Sequence, residues 1–172
     1  MQRTATTLLI LATGLLLSGC ITIQPPMVAQ DDDRTETAQP TAPGSSLDTD
    51  CGDGDSILLN EPGVDYRLTG DCAEVVVEGT DIDVDAEGIG SLILRGDDND
   101  IDARAVGSIE VSGQDNDVSV DSVGSVVLTG NGNDVDSNGD VGSVAFNGND
   151  NSVDADGQVG PVTDNGSDNE VD

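Results

Sequence analysis

The sequence predicts an all-β protein whose main body is a short, repetitive β-solenoid of 17–18-residue coils with two main strands per coil. Three observations carry this. Glycines recur at Gly79, Gly96, Gly113, Gly130, Gly148 and Gly166, at spacings of 17, 17, 17, 18 and 18. Four columns of residues keep the same register: Val75, Leu92, Ile109, Val126, Val144, Val162; Val77, Leu94, Val111, Leu128, Phe146, Asp164; Val84, Ile101, Val118, Val135, Val153, Val171; and Ile89, Val106, Val123, Val141, Val159. Of these 23 positions 22 are apolar. Within each unit the residues alternate with period two on either side of the glycine, which is strand patterning. Buried at roughly 1.5–3 kcal/mol per aliphatic side chain, the columns offer on the order of 30–65 kcal/mol of gross driving force, and no coil could fold alone. An antiparallel β-sandwich is the alternative, because periodicity does not by itself fix parallel pairing. A triangular helix of hexapeptide sides fits less well, since counting six from Val106 lands on Ser112.

Order has to be argued because composition points away from it. The 172 residues include 35 Asp or Glu against 5 Arg, with a formal charge of -30, one Tyr, one Phe and no Lys, His or Trp. High charge and scarce aromatics are marks of a disordered chain. Only the kept register overturns that reading. The same composition excludes function classes: no imidazole base, His-ligated metal, Schiff base or P-loop lysine is available. The charge repels nucleic acid and anionic lipid, so no nucleic-acid partner is expected.

At the N-terminus, Arg3 precedes an apolar run from Leu8 to Leu17, and Leu17-Ser18-Gly19-Cys20 follows. The run is too short to span a bilayer and has the shape of a signal peptide over residues 1–19. Small residues before a cysteine resemble the lipobox of bacterial lipoproteins, which implies lipidation of Cys20. The mature protein is then expected at the cell membrane, lipid-anchored on the extracytoplasmic face, with no transmembrane helix. Residues 20–50, rich in Pro, Thr, Gln, Ser and Asp, read as a disordered tether.

Cys51 and Cys72 remain once Cys20 is set aside, and an even pair in an exported protein reads as a disulfide. With Ile57, Leu59, Val64, Tyr66 and Leu68 following the repeat loosely, this segment reads as the cap of a repeat domain spanning 51–172. The extra residue of the two 18-residue units falls near Gly139 and Gly157, between the third and fourth columns, where a turn accepts it. At the far end, Asp164 in an apolar column discourages end-to-end growth.

A Cys pair leading into tandem Val-x-Val-x-Gly-x-x-Asn-x-Val units behind a lipobox resembles the actinobacterial domain-of-unknown-function family 3060, over about residues 51–172. The resemblance implies an envelope lipoprotein of repetitive β structure with no established activity. Two departures are visible: Ile82 stands where later units have Asn, and the final unit is truncated.

If the third and fourth columns point inward, their neighbours form two outward acidic files: Asp83, Asp100, Asp117, Asp134, Ser152, Glu170, and Asp85, Asp102, Ser119, Asp136, Asp154, Asp172. Calcium is the one cofactor these residues suit, through Asp83, Asp85, Asp100, Asp102, Asp117, Asp134, Asp136 and Asp154, because hard oxygen ligands fit that ion. Gly130-Asn131-Gly132-Asn133-Asp134-Val135 resembles half of the RTX calcium repeat, but the full nonapeptide is absent. The plainer reading is a solvated face with diffuse counterions that keeps the protein soluble and monomeric. Asn99, Asn116, Asn133, Asn151 and Asn169 form a further column expected to stack as a hydrogen-bonded ladder at the corner of the coil. Val76, Ile93, Val127 and Ala145, interrupted by Glu110, make an apolar outer stripe that suits an envelope protein or glycan partner or is covered by the chain's own turns. Uniform carboxylate files lack the separated pKa values that acid–base catalysis needs, so the expected role is a non-catalytic structural or binding module, with a calcium-ordered solenoid second and a carbohydrate-active enzyme third.

Overall fold

The computed structural model describes residues 45–172 apart from residue 53. These residues form a parallel β-solenoid of about seven turns with no helix. Its strands are β1 (Ser45–Asp50), β2 (Ser56–Leu59), β3 (Val64–Val77), β4 (Asp83–Leu94), β5 (Asp100–Val111), β6 (Asp117–Leu128), β7 (Asp134–Ser137), β8 (Val144–Phe146), β9 (Ser152–Ala155), β10 (Val162–Asp164) and β11 (Glu170–Val171). Every pairing between them is parallel, which rules out the sandwich. Each coil lies on its neighbour one repeat away, so Asp83, Asp100, Asp117 and Asp134 are successive rungs of one file.

In β4 to β6 the two expected strands of a coil run together as one twelve-residue strand with two bends. The pairing skips Glu87 and Gly90 between β4 and β5, and the in–out alternation breaks between them, where Gly88 and Ile89 are both buried. In the later coils the extra residue falls at Asn138–Asp140, between the rungs of Ser137 and Val141, where only the Asn138 N–H to the Val120 carbonyl and the Val123 N–H to the Asp140 carbonyl tie the turn to the coil beneath. The strand there breaks into β7 and β8, with Val141 held only by isolated bridges. The insertion therefore sits where the spacing places it.

The four columns fill the interior, Val75, Val77, Leu92, Leu94, Ile101, Val111, Leu128 and Val135 among the most deeply buried members, except at the last described coil, where Val162 is 46% exposed and Asp164 is exposed. A fifth inward column is Leu68, Ala86, Ala103, Val120 and Ser137, one rung apart in each case. Alanine and serine disguise it in the sequence, and the Ser137 hydroxyl is satisfied by donating to the Gly139 carbonyl at 3.3 Å.

The N-terminal segment belongs to the same stack. Ile57, Tyr66 and Cys72 lie one rung from Val75, Val84 and Ile89, so the cap continues the columns. Cys51 and Cys72 form the expected disulfide, buried in the core with Cα atoms 4.9 Å apart. The tether expected over 20–50 is corrected at its end: Ser45–Asp50 is β1, paired in register with Val64–Thr69 of β3. Leu47 is the only large apolar residue in that stretch and packs partly buried against the core. One apolar residue makes no alternation, so the backbone pairing could not be read. The folded domain thus begins at or before Ser45. Residues 1–44, including Cys20 and the signal segment, lie outside the described residues.

Candidate functional site

The eight candidate aspartates lie on one outward face in two files, as the alternation requires. Register extends the files toward the N-terminus, where Asp65 precedes Asp83 and Arg67 precedes Asp85. The irregular spacing of the cap hides these two residues in the sequence. Rungs of a parallel sheet stand about 4.8 Å apart, so like charges recur at that distance along each file.

Three carboxyls register the crowding. Desolvation first, then neighbouring aspartates, push Asp100, Asp117 and Asp136 above the ordinary value of 3.8. The charges concerned are Asp102 and Asp83 around Asp100, and Asp134 and Asp154 around Asp136; Asp117 feels Asp100, Asp134, Asp136 and Asp102. All three shifts have one direction and one set of causes. A working acid–base pair needs environments that push two groups apart, and these three are raised together.

A raised carboxyl pKa means that the folded state binds more protons than the unfolded chain, so stability falls as pH rises. The gain from protonation builds as pH falls through the raised folded values and is complete below the unfolded value. We expect the melting midpoint at constant ionic strength to rise as pH is lowered from 7 towards 3.8. A steady fall over that interval, measured by circular dichroism, would contradict the crowding of the face.

The arginines of the described residues are each tied to a carboxylate of the adjacent coil: Arg67 to Asp85 at 3.0 Å, Arg95 to Glu78 at 2.9 Å and Arg104 to Glu87 at 2.7 Å. All six side chains are about half exposed or more, so these pairs contribute little to stability. Arg67 and Arg104 border a shallow groove of about 400 Å³ beside the second file, with Ala86, Ala103 and Val120 in its lining. Among the described residues no group of three or more His, Cys, Asp or Glu side chains converges in the manner of a metal site.

The asparagine column is a ladder inside the tube. Asn99 Nδ2 donates to Asn116 Oδ1 at 2.9 Å, Asn116 Nδ2 to Asn133 Oδ1 at 2.9 Å, and Asn133 Nδ2 to Asn151 Oδ1 at 3.0 Å. The second Nδ2 hydrogen goes to a glycine carbonyl, from Asn116 to Gly96 and from Asn133 to Gly113. Each Oδ1 also accepts the backbone N–H of the asparagine one coil earlier. The amides from Asn116 to Asn151 thus use both donors and accept two bonds, and no buried side-chain polar atom among the described residues lacks a partner. Ile82 stands at the start of the column, fully buried, its N–H donated to Asn99 Oδ1. At the other end Asp164 accepts from Asn169 Nδ2 at 2.9 Å and from the Gly166 N–H at 2.8 Å. The charged residue in the second column thus gives Asn169 the acceptor that each earlier amide finds in the next asparagine.

Two features of the turns escaped sequence reasoning. The residue before each column position, Asp81, Asp98, Asp115, Asp150 and Asp168, has φ between 54° and 58°, and Gly132 has φ 67°. Aspartate tolerates this left-handed conformation better than most residues, and glycine adopts it freely. The signal is present as an Asp or Gly before every Asn of the column. A second, exposed ladder runs along the outside of the same turns, through Asn149 Nδ2 donating to Asn131 Oδ1 and the Ser167 hydroxyl donating to Asn149 Oδ1.

The outer stripe lies where expected: Val76, Ile93, Glu110, Val127 and Ala145 are successive rungs. Leu58 extends it at the N-terminal end and is 54% exposed. No family model, curated protein or solved structure matches the chain.

Proposed function

We propose that the protein is a lipid-anchored, non-catalytic module of the bacterial cell envelope, held at the extracytoplasmic face of the membrane through Cys20 and acting as a structural or binding element. The observation that supports this best is the sameness of the outer wall. Carboxylates recur along both files from coil to coil, where a reacting centre needs a group in an environment of its own. The lipobox-like residues before Cys20 supply the address. An acidic wall carrying diffuse counterions keeps such a domain soluble and apart from its copies. Its stripe of Val76, Ile93 and Val127 is the less charged side on which an envelope protein or glycan could rest.

A second reading is a solenoid ordered by calcium, favoured by one observation: Asp100, Asp117 and Asp136 are held above their ordinary value by desolvation first and by neighbouring aspartates second, and a divalent ion would relieve the second of these. One set of measurements separates the two. Under the first reading, Cys20→Ser moves the protein from the membrane fraction to the soluble one, and Ca²⁺ raises the melting midpoint no more than Na⁺ at matched ionic strength. A calcium-specific rise that EDTA reverses would favour the second reading. Unchanged partitioning of Cys20→Ser would overturn the anchor.

A further inference from the structure

The chain contains four Asn-Gly pairs, Asn131-Gly132, Asn138-Gly139, Asn147-Gly148 and Asn165-Gly166. Such pairs are open to an intramolecular reaction, because a glycine nitrogen with no neighbouring Cβ can approach the asparagine Cγ. The four are not equally free. The Gly132 N–H donates to the Asn149 carbonyl at 3.2 Å and the Gly148 N–H to the Leu128 carbonyl at 3.2 Å, both within the stacked turns. The Gly166 N–H is held by the Asp164 carboxylate at 2.8 Å. The side chains at those sites are also engaged: Asn131 Oδ1 accepts from Asn149, and Asn147 Oδ1 accepts from Asn165 Nδ2.

Asn138-Gly139 differs in its place in the fold and in the hold on its glycine N–H, although the Asn138 N–H still donates to the Val120 carbonyl at 2.9 Å. It occupies the insertion of the first 18-residue coil, between the end of β7 and the bridge at Val141, where the rung pairing is interrupted. The Gly139 N–H meets only the Ser137 hydroxyl, at 3.4 Å, and a hydroxyl can rotate away. Asn138 is exposed, and its Nδ2 donates to Asp121 Oδ1 at 3.2 Å.

We propose that Asn138 is a site of spontaneous deamidation, with water as the only co-reactant. The Gly139 nitrogen, losing its proton to solvent base, bonds to Asn138 Cγ. The Cγ–Nδ2 bond breaks and ammonia leaves, closing a succinimide. Water then adds to one of the two ring carbonyls and opens the ring, giving aspartate if the Cγ–N bond breaks and isoaspartate if the bond to the main-chain carbonyl carbon breaks. The net change is loss of ammonia and gain of water, a one-dalton increase with one new negative charge. The fold has room for the aspartate product, because the next coil already carries Asp156-Gly157 at the equivalent insertion.

The test is incubation of the full chain in mildly alkaline buffer, with the mass gain and the isoaspartate linkage localised by electron-transfer fragmentation. Asn138 is expected to convert on the order of tenfold faster than Asn131 or Asn147, equivalent to about 1.4 kcal/mol in barrier. In concentrated urea the four sites should converge. Asn138→Gln, at an exposed position, should lose the fast component while its circular dichroism stays that of the parent. The proposal is overturned if the folded chain converts all four sites alike, if another pair leads, if no site gains mass, or if the fast component survives in Asn138→Gln.

Discussion

Gly113→Ala is expected to cost more than about 4 kcal/mol, beyond the range of most single substitutions. The cause is space. Gly113 does not have a positive φ, so alanine's backbone preference is not at issue. A Cβ there would run into the Gly96 carbonyl oxygen of the coil beneath and would come within 2.9 Å of Asn116 Nδ2. Neither can yield cheaply. The Gly96 carbonyl is part of the stacked backbone and accepts the Asn116 amide, so displacing it opens the ladder as well. The landmark glycines at 96, 130, 148 and 166 meet the same obstacle, which explains why that column admits no other residue. Gly63→Ala provides the control: Gly63 has nothing near its would-be Cβ but has φ 68°, so only the backbone penalty remains, about 1–2 kcal/mol. Urea unfolding followed by circular dichroism gives both numbers. Because a stacked repeat communicates through nearest neighbours, a break at Gly113 should also divide the transition into two steps. A Gly113→Ala protein with the stability of Gly63→Ala would mean that the coils can move apart at the turn.

What could be read in advance follows from which residues announce their side of the wall. Valine, leucine and isoleucine at a fixed period locate the interior, and the two acidic files follow as their neighbours. Ala86, Ala103 and Ser137 point inward just as firmly, but small residues give no such announcement. The asparagines were legible as a column because identical amides recur beside the third apolar file. The direction of their bonding was not legible, since it depends on which face of each amide meets the coil above. β1 was invisible for a different reason: its place is fixed by backbone pairing to β3 and by the single side chain of Leu47. Arg67 could not be aligned with the second file because the pairing of β3 with β4 shifts register between Leu68 and Asp71. The acidic face was thus foreseen as a pattern. Which carboxyls draw protons, Asp100, Asp117 and Asp136, depends first on desolvation, which the pattern does not carry.

The direction of the ladder makes the cost of losing an amide depend on position, and this is the second large effect. Asn116→Ile, an aliphatic residue like that at Ile82, should destabilise by on the order of 3–5 kcal/mol. The Asn99 N–H and one Asn99 Nδ2 hydrogen both donate to Asn116 Oδ1 and would be stranded in the core, and the Gly96 carbonyl would lose its side-chain donor. Each buried group left unsatisfied costs about 1–3 kcal/mol. Asn99→Ile should cost less, because the preceding coil offers Ile82, which has a backbone N–H to satisfy but no amide. Asn169→Ala, at the last described coil and only partly buried, should cost least, since water can reach the groups of Asn151 that it leaves behind. The expected order is Asn116→Ile, then Asn99→Ile, then Asn169→Ala, measured as unfolding free energies. Amide exchange at Asn99 gives an independent check: its protection should collapse in Asn116→Ile and persist in Asn169→Ala. Equal costs at the three positions would show that the amides act as space-filling groups. A graded series would show that the column is a directed polar chain, in which each amide's worth is set by the donors that the preceding coil aims at it.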